Sequence, residues 1–560
     1  MMTDVLCSLE EKTMKRNAFL AWALSVLMLL SALSVGVVCS AAEVTSTGLV
    51  YEIWYDYVVI SGYTSDMAAD VVIPNTIEGY AVTAIKGNAF RNCETLRSVT
   101  FGANITKIDG RAFEECTSLT SIVIPDKVTV LGNNAFAGCT ALNSVTIGSG
   151  ITTIMESTFV GCTALTSITL GNNITNVKEY AFRNCTALET VQFGNGITTI
   201  GQYAFAGCNK LTAAHLPPQL EAIAPYTFEN CTALTEMTMG NAVASIGSNA
   251  FAGCTALTAV TVSDSVQSIG KRAFYNCRNL EEVTLGNGLK TLGEDAFYAC
   301  SALTCVTFGE NLEKVERSAF EKCAKLTDVQ LPDGVLSIGI RAFADCAELQ
   351  TLYLGKSLTT IGQEAFAYSP KLQGVIIPDT VTAMEHTTFR GDAALEWVIL
   401  GDGLQTIKYD TFYGCENLQW IVLGKGVTTV ESSAFENCKK LATVYYHGTE
   451  AQREQIAIAE RRNDTLVGAL WHYEVCSEGK HVYDDDRDTD CNLCGDVREV
   501  HTAKPGDANG DGRVNNRDLG ILQQYLNEWE VTVDTAAADL NGDGRVNNRD
   551  LGLLQKLLNE

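Results

Sequence analysis

Ala250-Phe-Ala-Gly-Cys254-Thr-Ala-Leu257-Thr-Ala-Val260-Thr-Val262-Ser-Asp-Ser-Val266-Gln-Ser-Ile269-Gly-Lys-Arg272 is one unit of a pattern that decides the fold. Its phenylalanine, Phe251, recurs every 23 residues without insertion or deletion, from Phe90 through Phe113, Phe136 and onward to Phe435, sixteen times in all. Three residues after each Phe stands a cysteine, in fourteen of sixteen copies; Ser369 and Asp392 are the exceptions. Six residues after each Phe stands a leucine, Leu96 to Leu441, without exception. A fixed period of this length marks a stacked repeat.

Within the unit, Leu257-x-x-Val260-x-Val262 alternates as a short strand with one buried face must. Gly or Pro-Asp then turns the chain, Val266 and Ile269 point back inward, and Ala-Phe-x-x-Cys closes the coil. A coil of 23 residues cannot bury this set alone, so each must be stabilised by its neighbours. The predicted fold class is a repeat solenoid, mainly β with short irregular or helical turns. These units resemble BspA-like bacterial leucine-rich repeats, on the Ala-Phe-x-x-Cys, the Leu and the period. The resemblance implies an N-terminal cap over 43–85, repeats over 86–445 and a C-terminal cap over 446–475, where Thr449 and Gln452 form a capping box.

Composition narrows the function. The 560 residues carry 40 Lys and Arg against 66 Asp and Glu, a net charge of −26. Nucleic acid is an unsuitable partner for such a chain, since phosphates demand basic side chains. Lys15 and Arg16, an apolar run from Ala18 to Val38 and Ser40-Ala41-Ala42 make a secretory signal over 1–42, cut before Glu43. The rival is an uncleaved anchor, because the run is long enough to span a bilayer. With cleavage the mature chain is extracellular and off the membrane.

In-register coils put the column cysteines about 5 Å apart, inside the disulfide window, but with parallel Cβ vectors that disfavour bridging. A reduced, buried ladder is expected, with Cys305 outside it on an outward position. Outward strand positions fall eight and ten residues after each Phe. The tenth is mostly threonine at first (Thr100, Thr146, Thr169, Thr238, Thr261, Thr284, Thr307), which reads as a solvated face. Toward the C-terminus it becomes Tyr353, Ile376, Ile399, Val422 and Tyr445, beside Trp397 and Trp420 at the eighth. This patch, with Tyr353, Trp397, Trp420 and Tyr445 as candidate contacts, either binds a polysaccharide or a surface protein, or is covered by the C-terminal cap or the module after it.

Residues 476–504 hold Cys476-x4-His481-x9-Cys491-x2-Cys494, a candidate tetrahedral zinc site, with His472 and His501 as substitutes and a disulfide or a metal-free linker as rivals. The C-terminus repeats a loop at a 32-residue interval. Oxygen ligands fall at Asp507, Asn509, Asp511 and Asp518, with the Arg513 carbonyl, and again at Asp539, Asn541, Asp543 and Asp550, with the Arg545 carbonyl. That is EF-hand calcium spacing for two ions, with Asp at position twelve and no helix expected before either loop. Leucines at helical spacing follow each loop.

Residues 505–560 resemble a type I dockerin, a small all-α calcium domain. The resemblance implies calcium-dependent docking onto a cohesin of a cellulosome-like scaffold, and so an association with polysaccharide breakdown. Asn516, Arg517, Asn548 and Arg549 match the family's partner-recognition positions, and their duplication implies two equivalent binding orientations. These segments consume the chain and leave no constellation of nucleophile, base and orienting acid. The expectation is a non-catalytic binding or adhesion subunit; the alternatives are a structural spacer, or an enzyme with its site hidden on the solenoid face.

Overall fold

The structure, a computed structural model, describes residues 42–475, 506–509, 513–526, 531, 533, 535–540 and 545–559. The expected signal segment lies outside them. The chain divides into two compact units, residues 1–211 and 212–560.

In the first unit, an antiparallel hairpin of Leu49–Trp54 and Tyr57–Tyr63 begins the fold, with Glu43–Val44 on its outer edge. Tyr80–Ile85 then joins Tyr57–Tyr63 in parallel, and Lys107–Ile108 and Val130–Leu131 continue that sheet. The cap thereby converts hairpin pairing into the parallel pairing that coils require. Five coils of this unit each have a three-residue strand such as Ser167–Thr169 and a two-residue strand such as Asn176–Val177. Partners are one repeat apart, as with Ile168 and Val191, so the register is the sequence period itself. Rings of Phe90, Phe113, Phe136, Phe159, Phe182 and Phe205 stack at 5.0 to 5.6 Å, and Tyr63 of the cap lies on Phe90 at 6.0 Å as the first ring of the column.

The second unit repeats this plan over ten coils, with eight short strands from Ala222–Ile223 to Ala383–Met384 in one parallel sheet. Each buried Phe contributes about 1.5–3 kcal/mol of transfer free energy, so the column is a large store of stability beside the buried Leu, Ile and Val of the strands. The ladder of reduced thiols is present: all fourteen column cysteines are buried thiols, and among the described residues Cys305 is the exposed one. Each hydrogen-bonded thiol has a definite partner. Cys116 Sγ donates to the Phe90 carbonyl at 3.0 Å and Cys277 Sγ to that of Phe251 at 3.3 Å, each reaching the preceding coil, whereas Cys93, in the first coil, meets Thr95 Oγ1 at 3.7 Å. Burial pushes the thiols of Cys162, Cys254, Cys300 and Cys323 well up, and that of Cys185 to about 12, which keeps them neutral.

A feature the hydrophobic pattern does not reveal closes the third side of every coil. The residues two before and two after each Phe lie at positive φ, as at Arg272 (58°) and Asn276 (62°). This turns alternate N–H groups toward the next coil: Arg272, Phe274 and Asn276 donate to the carbonyls of Glu294, Ala296 and Tyr298, each at 2.8 Å. The left-handed region is tolerated best by Gly and Asn. One or the other occupies the position after Phe in eleven of the sixteen coils, a signal legible in the sequence but not read there.

The C-terminal cap ends these ladders. The capping box is formed on helix α1 (Glu450–Arg453) by Thr449 and Gln452. After helix α2 (Asp464–Gly468), the strand Leu470–Tyr473 pairs with Thr443–Tyr446. Buried Asn463 stands in for a missing coil: its Oδ1 accepts the Phe435 N–H at 3.2 Å, while its Nδ2 donates to Glu431 and Ala459.

In the dockerin-like region, helices α3 (Asn516–Leu526), α4 (Thr535–Ala538) and α5 (Asn548–Asn559) pack around Ala508, Leu522, Ala538 and Leu554. Here the structure corrects one expectation. The single turn of α4 does precede the second loop, because Ala537 and Ala538 are buried in this small core and Ala537 accepts the Gly506 N–H at 2.7 Å.

Candidate functional site

The outward face at the C-terminal end of the solenoid carries the expected aromatic patch, in a definite arrangement. Strands Gly374–Ile377, Trp397–Leu400, Trp420–Leu423, Thr443–Tyr446 and Leu470–Tyr473 form one parallel sheet. Parallel register lays Trp420 against Trp397, ring centroids 5.7 Å apart and planes within 12°. The other face of Trp397 lies over Gly374, where a Cβ would come within 2.1 Å of the ring. Tyr445 meets Trp420 edge-on at 6.0 Å, and His472 stacks on Tyr445 at 5.2 Å. The two tryptophans and Tyr445 are legible in the sequence by type and spacing. Gly374, whose missing side chain is the seat of the strip, is not, and His472, a substitute metal ligand by sequence, stacks in the strip instead.

Two consequences follow from this packing. Sugar recognition by stacking needs an open aromatic face. Here the faces are occupied by one another and by Gly374, so the strip offers ring edges together with Ile376, 55% exposed, and Ile399. Secondly, the chain covers part of the patch itself: Val475 lies on Val422, which is wholly buried despite its outward position, with Ile399, Trp420 and Tyr445 around them.

Tyr353, two coils before Trp397, is tied elsewhere. Its hydroxyl donates to Asp333 Oδ1 at 2.9 Å, and burial together with that carboxylate holds the phenol well above its ordinary range. Beside the strip, His447 Nδ1 lies 2.9 Å from Asp402 Oδ1, and Lys425 Nζ lies 3.1 Å from its other oxygen. Burial works against ionising Asp402, but these partners outweigh it and hold its carboxyl below the usual range. This contact clips the C-terminal cap to a coil 45 residues earlier.

The two calcium loops are described in part. Asp507 and Asp518, at the two ends of the first loop, are both buried, as is Asp550 of the second. Asp518 accepts N–H bonds from Asn509 at 3.2 Å and Asn515 at 2.7 Å, which draws the loop closed around its last ligand position. Asp550 accepts from Asn547 at 2.9 Å in the same way. Buried carboxylates need a compensating positive charge, and hard oxygen donors suit calcium. The donor set therefore fits the ion, with Asp507, Asn509 and Asp518 and the Arg513 carbonyl in the first loop, and Asp539, Asp550 and the Arg545 carbonyl in the second. Asp511, Asn541 and Asp543 lie outside the described residues, as do Cys476, His481, Cys491 and Cys494.

The residues expected from the sequence to recognise a partner occupy equivalent places. Asn516 and Arg517 begin α3, and Asn548 and Arg549 begin α5. Arg517 donates its N–H to Asn515 Oδ1 and Arg549 its own to Asn547 Oδ1, both at 2.9 Å. Asn516, Asn548 and Arg549 are exposed and Arg517 half-buried. No described helix is long and apolar enough to cross a membrane.

A parallel solenoid of 23-residue coils, followed by a small helical domain with duplicated oxygen-donor loops, defines the class. Residues 69–189, 152–281, 267–396 and 382–457 match the BspA type leucine rich repeat region, and residues 505–559 match the dockerin type I domain. The chain belongs to the BspA-type leucine-rich repeat family and carries a C-terminal dockerin type I domain. Both are non-catalytic domain types; dockerins of this type bind calcium and imply a cohesin partner. Among solved structures, a leucine-rich repeat protein from Bacteroides ovatus ATCC 8483 is 24% identical, over 77% of this chain and 99% of that one, with a TM-score of 0.56, and shares the fold. A leucine rich cell surface protein from Faecalibacterium prausnitzii A2-165 (22% identity, 75% and 98% coverage, TM-score 0.29) and the pneumococcal vaccine antigen PcpA (15%, 78% and 98%, 0.34) also match, too loosely to carry an argument. No curated protein matches.

Proposed function

We propose that this chain is a secreted, non-catalytic binding subunit. Its dockerin docks by calcium onto a cohesin of an extracellular scaffold, in the service of polysaccharide breakdown, and its solenoid holds a polypeptide ligand at the strip of Trp397, Trp420 and Tyr445. Secretion with cleavage before Glu43 is supported by the sequence alone: Lys15 and Arg16, the apolar run from Ala18 to Val38, and Ser40-Ala41-Ala42. The single observation that carries the ligand class is the packing of the tryptophan faces against Gly374 and each other, which leaves edges and aliphatic side chains for a partner. Such a surface suits the apolar side chains of another protein better than a sugar ring.

The test incubates the full chain with insoluble plant polysaccharide and, separately, with an extracellular surface-protein fraction, beside the Trp397→Ala/Trp420→Ala double variant. Retention on the protein fraction that the double variant loses is the expected result. Retention on polysaccharide lost in the same variant would overturn the ligand class, and no retention on either would leave a spacer.

A further inference from the structure

One side chain of the solenoid core breaks the chemistry of its column. Asp392 stands where fourteen coils have a cysteine; its exposure is 0%. Asp392 Oδ1 accepts the Ser369 N–H at 2.8 Å, and Oδ2 is buried with no hydrogen-bond partner. Ser369, the other exception, has a buried hydroxyl in the same position. In neighbouring coils the column residue is a donor: Cys346 Sγ reaches the carbonyl of Phe320, and Cys415 Sγ that of Phe389. An ionised carboxylate has no proton to give.

The surroundings supply no cation. The titratable groups facing Asp392 are the thiols of Cys346 and Cys415, both themselves held neutral by burial. Arg390, two residues earlier, is turned outward to Asp410 at 2.6 Å and over the ring of Tyr413. A buried charge without a partner costs more than the protonation that removes it.

We propose that Asp392 is carried as a neutral carboxylic acid, a donor in the place of the column thiol, and that the coil containing Trp397 loosens as this acid ionises. The bond that changes is the O–H of Asp392 alone; its proton goes to solvent when the coil opens. The strand Trp397–Leu400 follows Asp392 by five residues, so the binding strip and the acid belong to one coil. The consequence for ligand binding rests on the strip being the ligand surface; the loosening itself does not. Burial raises the folded-state value well above the ordinary carboxylate. The folded coil then keeps its proton where the open coil loses it, so the coil is most stable below about pH 4 and weakens as pH rises toward the folded value.

Hydrogen exchange of the full chain, from about pH 5 to about pH 8, tests this against Asp392→Asn, whose amide is a donor that cannot ionise. Protection of the Trp397–Leu400 amides in the native chain should fall relative to the variant by up to tenfold per pH unit until the folded value is reached. The strand Glu282–Thr284 should show a constant ratio. A constant ratio at Trp397–Leu400 as well would overturn the proposal. If Asp392→Asn does not fold, Asp392→Cys, the column residue, replaces it. Infrared spectroscopy reads the acid directly. A neutral carboxylic carbonyl band at neutral pH that disappears in either variant is expected, and its absence from the native chain would equally overturn the proposal. Neither readout involves the strip's ligand, so failure here is separate from failure of the ligand assignment.

Discussion

The solenoid and the dockerin both bury polar side chains, and they satisfy them in opposite ways. In the solenoid the buried group is a thiol: small, neutral, and bonded to a carbonyl of the preceding coil, as Cys277 is to Phe251. In the dockerin it is a carboxylate, as at Asp518, which takes N–H bonds from Asn509 and Asn515 of its own loop. A column of neutral donors lets coils stack in any number without an added component. A ring of carboxylates makes folding conditional on a cation. The contrast predicts a solenoid that is indifferent to calcium joined to a dockerin whose folding requires it.

The sharpest way to break this contrast is to take the ion away. Chelation should unfold residues 506–559 and abolish cohesin binding, while the circular dichroism of the β-solenoid stays unchanged. Asp518→Ala alone should leave binding through the second copy, and Asp518→Ala with Asp550→Ala should remove it, as read by calorimetric titration. A loss on the solenoid side of comparable size comes only from its core. Phe274→Ala opens a cavity in the ring column and should cost about 3–5 kcal/mol in denaturant unfolding, with no dependence on calcium.

Gly374→Ala should act more locally, costing about 1–3 kcal/mol from overpacking. Its Cβ would collide with Trp397, so a shift in tryptophan fluorescence should accompany the loss. Cys277→Ala, which gives up one thiol bond, should cost about 0.5–1.5 kcal/mol from that bond plus a small cavity. The smallest effect lies at Asp402, ten residues after Asp392 and opposite to it in sign. Its folded-state carboxyl is depressed. The stability it gives the C-terminal cap should therefore be present above about pH 4, the unfolded value, and be lost as pH falls through the folded value. Asp402→Asn should abolish that acid-side loss in thermal melts.

The parts legible in the sequence are those in which identity and period carry the information. Phe251, Cys254, Leu257 and Val260 each report burial by type and spacing, and all are buried in register. The loop positions of Asp507 and Asp518 are equally fixed, because cation ligation demands oxygen at set intervals. The parts that escaped depend on conformation or on residues distant in the chain. Arg272 and Glu364 give no hint by type that they sit at positive φ. Asn463 substitutes for a coil that does not exist, a role defined by geometry rather than by pattern. In the strip, Trp397 and Trp420 announce themselves, whereas Gly374 matters through an absent atom and Val475 through a fold-back that no periodicity encodes.

The central claim is that a metal-independent solenoid is joined to a metal-dependent dock. Titration of the full chain with a type I cohesin domain, in calcium and then in excess EGTA, with the solenoid's circular dichroism followed in both, tests it most directly. Stoichiometric binding in calcium, none in EGTA and an unchanged β-signal throughout is the predicted result. Cohesin binding that survives EGTA, or a solenoid that melts with the ion removed, would contradict it.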